Sequence, residues 1–303
     1  MMKRMIEYQK NSSLFCFIAS YHAMSSVRDK DALKKNILDA AMDFLALGID
    51  PERSTFWVQS DVPEVTELTW MLSMCINVSQ LELAHSYKDK VAQGINPSAG
   101  LMYYPVLMAA DILLFGGEKV PVGKDQKQHL EFTRDICLKF NNTYGETFIL
   151  PEPDILSDTA TVPGIDGRKM SKSYNNTINF FADEKKLKKS VMAIVTDSTP
   201  VEEPKSTENS VLFDIYSLFL KENEIDSLKT RFQTPGEGYG HIKLDLYNII
   251  LKHFTLFRDK RNELERRQDY VIDILNEGAK KARAVAVPFL ERARSVTGLS
   301  YKI

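Results

Sequence analysis

Short apolar runs alternate with helix-length amphipathic segments through the first half of this chain and then stop. That change of rhythm restricts the fold more than any other feature of the sequence. Leu14 to Ala19 reads as a buried strand, Asp31 to Leu47 as an amphipathic helix halted by Gly48 and Pro51, and Ser54 to Gln59 as a second strand. Pro63 to Asn77 is helical, Ala99 to Phe115 is an almost wholly apolar helix, Lys119 to Val122 is a short strand, Gly123 a turn and Asp125 to Asn142 a long helix. Strand, helix and strand in that order predict a doubly wound parallel sheet, whose ligands sit beyond the carboxyl ends of the strands. From Asp183 onward strand signals vanish. Lys185 to Val195, Ser210 to Lys221, Ile225 to Phe232, Ile242 to Asn276 in one or two pieces, and Ala279 to Val296 all read as helices, with Thr196 to Thr207 as a surface loop. The expected fold is α/β: a Rossmann-like nucleotide-binding domain over 1–180, followed by an all-helical domain over 181–303.

Charge narrows the partners. A net charge of -2 over 303 residues gives no global attraction for nucleic acid, so a polynucleotide would have to meet a local basic surface. The densest late cluster is Lys280, Lys281, Arg283, Arg292 and Arg294. Cys16, Cys75 and Cys137 are far apart and set among apolar residues, which reads as reduced core thiols of a cytoplasmic protein, with no disulfide or resident metal site. No apolar run approaches a membrane span, and Met1 to Asn11 carries charges throughout, so no membrane association is expected.

Three segments carry chemistry. Arg168-Lys169-Met170-Ser171-Lys172-Ser173 follows the turn-forming Pro163-Gly164-Ile165-Asp166-Gly167, and sets two lysines and two hydroxyls on a short polar loop. Mobile ammonium groups of this kind can follow charge onto a leaving pyrophosphate. In the apolar helix Ala99 to Phe115 a carboxylate, Asp111, stands where ionisation is costly unless a donor meets it; that donor is either a group elsewhere in the fold or one on a ligand. Tyr104, Met108 and Asp111 share one helix face and suit a flat aromatic ligand bearing an N–H. The third segment, Val120-Pro121-Val122-Gly123-Lys124-Asp125-Gln126, runs from strand through a glycine turn into a helix. Free backbone N–H groups stand at such a junction, where Asp125 is placed either to accept from ribose hydroxyls or simply to cap the helix.

In this order and spacing, Tyr104-Pro105-Val106-Leu107-Met108-Ala109-Ala110-Asp111, Pro121 to Glu131 and Lys169-Met170-Ser171-Lys172-Ser173-Tyr174-Asn175-Asn176 resemble bacterial tryptophanyl-tRNA synthetases, class I enzymes with a K-M-S-K-S loop at 169–173. The resemblance implies ATP-dependent activation of tryptophan, with Mg2+ accompanying the phosphates, and transfer to tRNA(Trp), whose anticodon the helical domain binds. It implies a homodimer. It places Met108 against the indole face, Asp111 on the indole N–H, and Tyr104 and Gln126 on the amino acid's polar end, with His22, Val120 and Val122 completing the tryptophan site. Lys90, Gly123, Asp125, Gln126, Lys169, Met170, Ser171 and Lys172 fall to ATP, and Lys169 and Lys172 to catalysis. The family's His-x-Gly-His-type signature has no counterpart in these residues. Met1 to Lys10 resembles the helix that follows it, so the sheet is expected without the family's first strand. Two alternatives stand beside this reading. One is a tyrosyl-tRNA synthetase, a family that usually has glutamine where Met108 stands; the other is an inactive paralogue that binds only tRNA or tryptophan.

Overall fold

The computed structural model describes residues 2–301 other than 93, 95, 124–125, 156–161 and 172–173; for 85, 86, 89 and 90 the description stops at the backbone. The elements follow as α1 (Met2–Asn11), β1 (Leu14–Ile18), α2 (Ser20–Ala23), α3 (Lys30–Leu47), β2 (Ser54–Val58), α4 (Glu64–Ser73), α5 (Val78–Leu81), α6 (His85–Ala92), α7 (Ala99–Leu113), β3 (Lys119–Val122), α8 (Lys127–Tyr144) and β4 (Glu152–Ile155). The helices α9 (Glu184–Met192), α10 (Val211–Ser217), α11 (Glu222–Gln233), α12 (Tyr239–Arg266) and α13 (Gln268–Val296) complete the chain.

All strand pairing is parallel: β1 lies beside β2 with Cys16 opposite Phe56, and β3 beside β4 with Pro121 opposite Asp154. The two pairs are not hydrogen-bonded to each other. Helix α1 ties them. Gln9 donates to the Gly48 carbonyl at 2.8 Å and accepts from Asp50 N–H and Ser54 Oγ, both at 3.0 Å, at the entry to β2. One and a half turns earlier, Arg4 Nε donates to Asp154 on β4 at 3.0 Å, and the Tyr8 hydroxyl meets the same carboxylate.

Strand β4 has no clear signal in the sequence, because Glu152-Pro153-Asp154-Ile155 is polar and carries a proline that cannot donate to a ladder. The alternation of the first half otherwise produces the elements it predicts. Asp29 caps α3 by accepting from Ala32 N–H, and the helix stops at Gly48, whose φ of 115° suits glycine. Behind the β1–β2 pair lies the main core, in which Trp57, Leu68, Leu72, Val106, Leu113 and Phe140 are fully enclosed.

The chain divides into two units, Met1–Ser157 with Leu264–Ile303, and Asp158–Glu263. The first unit thus ends before the boundary expected at 180, and the chain returns to it through α13. The expected helices end at Asn276 and resume at Ala279, leaving Gly278 in the gap, yet α13 runs straight through it, and the break falls instead at Arg267. An added Cβ at Gly278 would come within 1.7 Å of the Phe56 carbonyl oxygen, so the bare backbone is what lets α13 lie directly on β2. Arg283 meets Glu64 at 2.5 Å, Arg294 meets Glu67 at 2.5 Å, and Lys281 donates to the Pro51 carbonyl at 3.3 Å. Three of the five late basic residues therefore fasten α13 to the α/β unit. The second unit has its own core, built on Leu187, Leu212, Phe232, Ile242 and Leu246.

Candidate active site

The pocket of the first unit grows from the anomaly in α7. Ser98 caps this helix by accepting from Leu101 N–H, and the helix carries Asp111 into the interior, where it is 7% exposed. Two side chains donate to it. Gln59, the first residue after β2, reaches both carboxylate oxygens with Nε2 at 2.8 Å, and His22, on the short helix α2 that follows β1, reaches Oδ2 with Nε2 at 2.9 Å. Gln59 is held by Tyr21 N–H, which donates to its Oε1 at 2.9 Å, so the amide orientation is determined and its N–H groups point at Asp111. Burial raises the Asp111 pKa above the ordinary 3.8, while the hydrogen bonds and charge of His22 and the Gln59 bond oppose the rise. Both donors come from the protein; the carboxylate nonetheless borders a cavity and keeps acceptor capacity toward it.

That cavity measures 540 Å³, and all seven residues expected at the tryptophan site line it: His22, Tyr104, Met108, Asp111, Val120, Val122 and Gln126. Phe17 and Ala19 from the β1 end and Pro121 from β3 also border it, so it opens at the carboxyl ends of two parallel strands. Met108 and Val120 pack on a small apolar cluster of Ile112, Val122 and Leu130, which gives the cavity a firm apolar wall. Tyr104 stands between two histidines, 6.0 Å from the His22 ring and 4.9 Å from the buried His129 ring, and its hydroxyl meets His129 Nε2. Gln126 precedes α8 and donates its N–H to the Gly123 carbonyl at 2.9 Å. The arrangement is a largely apolar cavity bordered by one buried carboxylate, Asp111, and by the polar side chains of His22, Tyr104 and Gln126.

The lysine loop lies in the second unit. Pro163 and Lys169 form an antiparallel bridge, Gly164 N–H donates to the Arg168 carbonyl at 2.7 Å, and Met170 N–H donates to the Val162 carbonyl at 2.9 Å, so 162–170 is a small hairpin. Gly167, with φ 83°, supplies the left-handed residue of its turn. Lys169 is exposed, and Met170 and Ser171 are partly exposed. Asp125 and Lys172 lie outside the described residues, as does the side chain of Lys90, which stands on α6.

Two participants escaped sequence reasoning. Gln59 read as the last residue of a strand; the available signal was a polar side chain ending the apolar run Thr55-Phe56-Trp57-Val58. Asn176 looked like a loop residue and is 1% exposed. The cysteines are free and buried, and burial raises Cys16 to about 12 and Cys137 to about 11, which leaves both thiols unreactive.

Comparison with known proteins shows the family of the chain. The family model described as tRNA synthetases class I (W and Y) matches residues 1–255. A tryptophan–tRNA ligase of Fusobacterium nucleatum is 54% identical over 98% of this chain and 92% of its own length. The tryptophan–tRNA ligase of Campylobacter jejuni is 52% identical over 98% of this chain and 93% of its own length. A solved structure of the Campylobacter jejuni tryptophanyl-tRNA synthetase, complexed with ADP and tryptophan, superposes with a TM-score of 0.92 over 98% of this chain and 93% of that one.

Proposed function

The chain belongs to the class I tRNA synthetases for tryptophan and tyrosine, and from that membership we propose that it activates tryptophan with ATP and transfers the tryptophanyl group to tRNA(Trp). The observation that carries the choice of amino acid is the pairing of Met108 with Asp111 in the 540 Å³ cavity. A thioether packs on the indole face, and a buried carboxylate accepts its one N–H; a phenol would leave that acceptor poorly matched and would ask for hydrogen bonds where Met108 offers none. The two curated relatives, both tryptophan–tRNA ligases at more than half identity, support the same choice.

In the reaction the tryptophan carboxylate attacks the α-phosphate of ATP, pyrophosphate leaves, and the ribose hydroxyl at the tRNA end then takes the tryptophanyl group from the adenylate. Protein groups do little covalent work here; they position and they stabilise charge. Tyr104 and Gln126 hold the amino acid's polar end, Gly123 and Asp125 meet the adenosine, and Lys90, Lys169, Met170, Ser171 and Lys172 attend the phosphates. Lys169 and Lys172 stabilise the charge that grows on the leaving pyrophosphate. Mg2+ accompanies the triphosphate as its counter-ion in this reading.

The tRNA meets the helical second unit in this reading. Lys185, Lys186, Lys188 and Lys189 are all exposed on the nine-residue helix α9 and provide a local basic surface on a chain whose net charge is -2. The protein works as a homodimer. Met24, Trp70 and Met74 are 58%, 68% and 56% exposed, and Met24 borders a second cavity with Thr66, Thr69, Tyr103 and Leu107, an apolar face that a second copy would cover. No described helix is long and apolar enough to cross a membrane, and free buried thiols suit a reducing cytoplasm.

Exchange of labelled pyrophosphate into ATP, measured with tryptophan, with tyrosine and with no amino acid, tests the proposal. Label should enter ATP only with tryptophan. Exchange driven by tyrosine would move the chain to the other branch of the family, and tryptophan binding without exchange would favour a binding-only paralogue.

A further inference from the structure

In addition to the hairpin's own bonds, one buried side chain hydrogen-bonds the backbone on either side of Met170. The Asn176 amide donates to the Lys169 carbonyl at 3.1 Å and to Asp166 Oδ1 at 2.7 Å, while its Oδ1 accepts from Ser171 N–H at 2.8 Å. Its own backbone carbonyl accepts from Ile165 N–H at 2.9 Å. The amide is oriented without ambiguity, since Lys169 offers only a carbonyl and Ser171 only an N–H. Space for it is provided by Gly164, where an added Cβ would lie 2.1 Å from Asn176 Nδ2. Asp166 is shared: its carboxylate also accepts from Arg168 Nε at 2.8 Å, and the Arg168 guanidinium lies 4.7 Å over the Tyr174 ring.

From this geometry we propose that Asn176 is a positioning residue, which fixes the backbone of Lys169 and Ser171 so that the Lys169 ammonium is presented to the leaving pyrophosphate in one register. The inference rests on the reading of the loop as the one that grips ATP. Neither Asn176 nor Gly164 touches the nucleotide in this account; both act through the loop. A loop freed of these bonds still carries its charge, but it samples many placements, and misplacement of a charge that must meet a transition state costs rate more than it costs ground-state binding.

The test is steady-state pyrophosphate exchange on the full chain carrying Asn176→Ala, Asn176→Asp, Gly164→Ala or Lys169→Ala, with thermal melts run alongside. Asn176→Ala should lower kcat about tenfold or more while KM for ATP stays within about twofold. Gly164→Ala, which drives a methyl group into the same amide from the other side, should give the same split, and it serves if the Asn176→Ala protein melts before assay. Asn176→Asp keeps the acceptor for Ser171 but sets a second carboxylate against Asp166. Its relative activity should climb as the pH is lowered through the carboxylate range, because one of two facing carboxyls then holds a proton and donates again, although Asp166, held below its usual range by Asn176 and Arg168 in the native chain, keeps the Arg168 bonds. A merely structural contribution would give no such climb. If Lys169→Ala is crippled and both Asn176→Ala and Gly164→Ala are normal, the positioning role is overturned and the reading of the loop stands. If Lys169→Ala is itself normal, the reading of the loop falls and the positioning role falls with it.

Discussion

Asp111→Ala should weaken tryptophan binding by roughly ten- to a hundredfold, since a hydrogen bond to a charged acceptor contributes about 1.5 to 3 kcal/mol. The loss should be confined to tryptophan, leaving ATP affinity within about twofold, because Asp111 serves the amino-acid pocket. The same carboxylate makes affinity depend on pH. An indole N–H needs the ionised form, and burial raises the pKa, so as the solution is acidified the neutral acid forms above the ordinary 3.8 and tryptophan affinity falls with it. Calorimetric titrations across the acid range should show this fall in the native chain and a flat profile in Asp111→Ala. An Asp111→Ala protein that binds tryptophan like the native chain would remove the carboxylate from the recognition of indole. The variant should also melt lower, because Gln59 and His22 would be left with buried N–H groups and no acceptor.

A second large effect is expected far from chemistry. Gly278→Ala should destabilise the first unit by about 3 kcal/mol or more, a value at the severe end for overpacking, because the methyl carbon would be forced to 1.7 Å from a backbone oxygen that cannot swing aside. Helix α13 would have to lift from β2, and with it would go the contacts of Ala279, Ala282 and Ala286 in the main core. Urea unfolding followed by circular dichroism measures the change. An unfolding free energy changed by no more than about a few tenths of a kcal/mol would mean that α13 does not sit on Phe56 as described.

These two residues mark what sequence could and could not reveal. Asp111 was legible because it violates its surroundings: a carboxylate in an apolar helix demands a partner, and the spacing to Tyr104 and Met108 shows which face is shared. Periodicity put Tyr104, Met108 and Asp111 on one helix face and the strand-to-helix junction pointed to Gln126, whereas His22, Val120 and Val122 were expected from the family resemblance alone; all seven border one cavity. Gly278 fell in the gap between two expected helices because a glycine in a helical pattern signals a break when only local propensity is weighed. Its tertiary use, close approach of helix to strand, depends on Phe56, more than two hundred residues earlier. The basic residues of α13 show the same dependence on distant partners, for Arg283 and Arg294 read as free charges until Glu64 and Glu67 are found against them. Gln59 and Asn176 were missed because a buried amide looks like any polar residue until its partners are in place.

The central claim is that this pocket selects tryptophan by accepting its indole N–H at Asp111 and packing its ring on Met108. Calorimetric titration of the chain with tryptophan, and of the same preparation with tyrosine, tests that claim most directly. The account predicts binding of tryptophan with a dissociation constant at least about tenfold lower than that for tyrosine, which is the size of one well-made hydrogen bond to a charged group. Tyrosine bound as tightly as tryptophan, or more tightly, would contradict it.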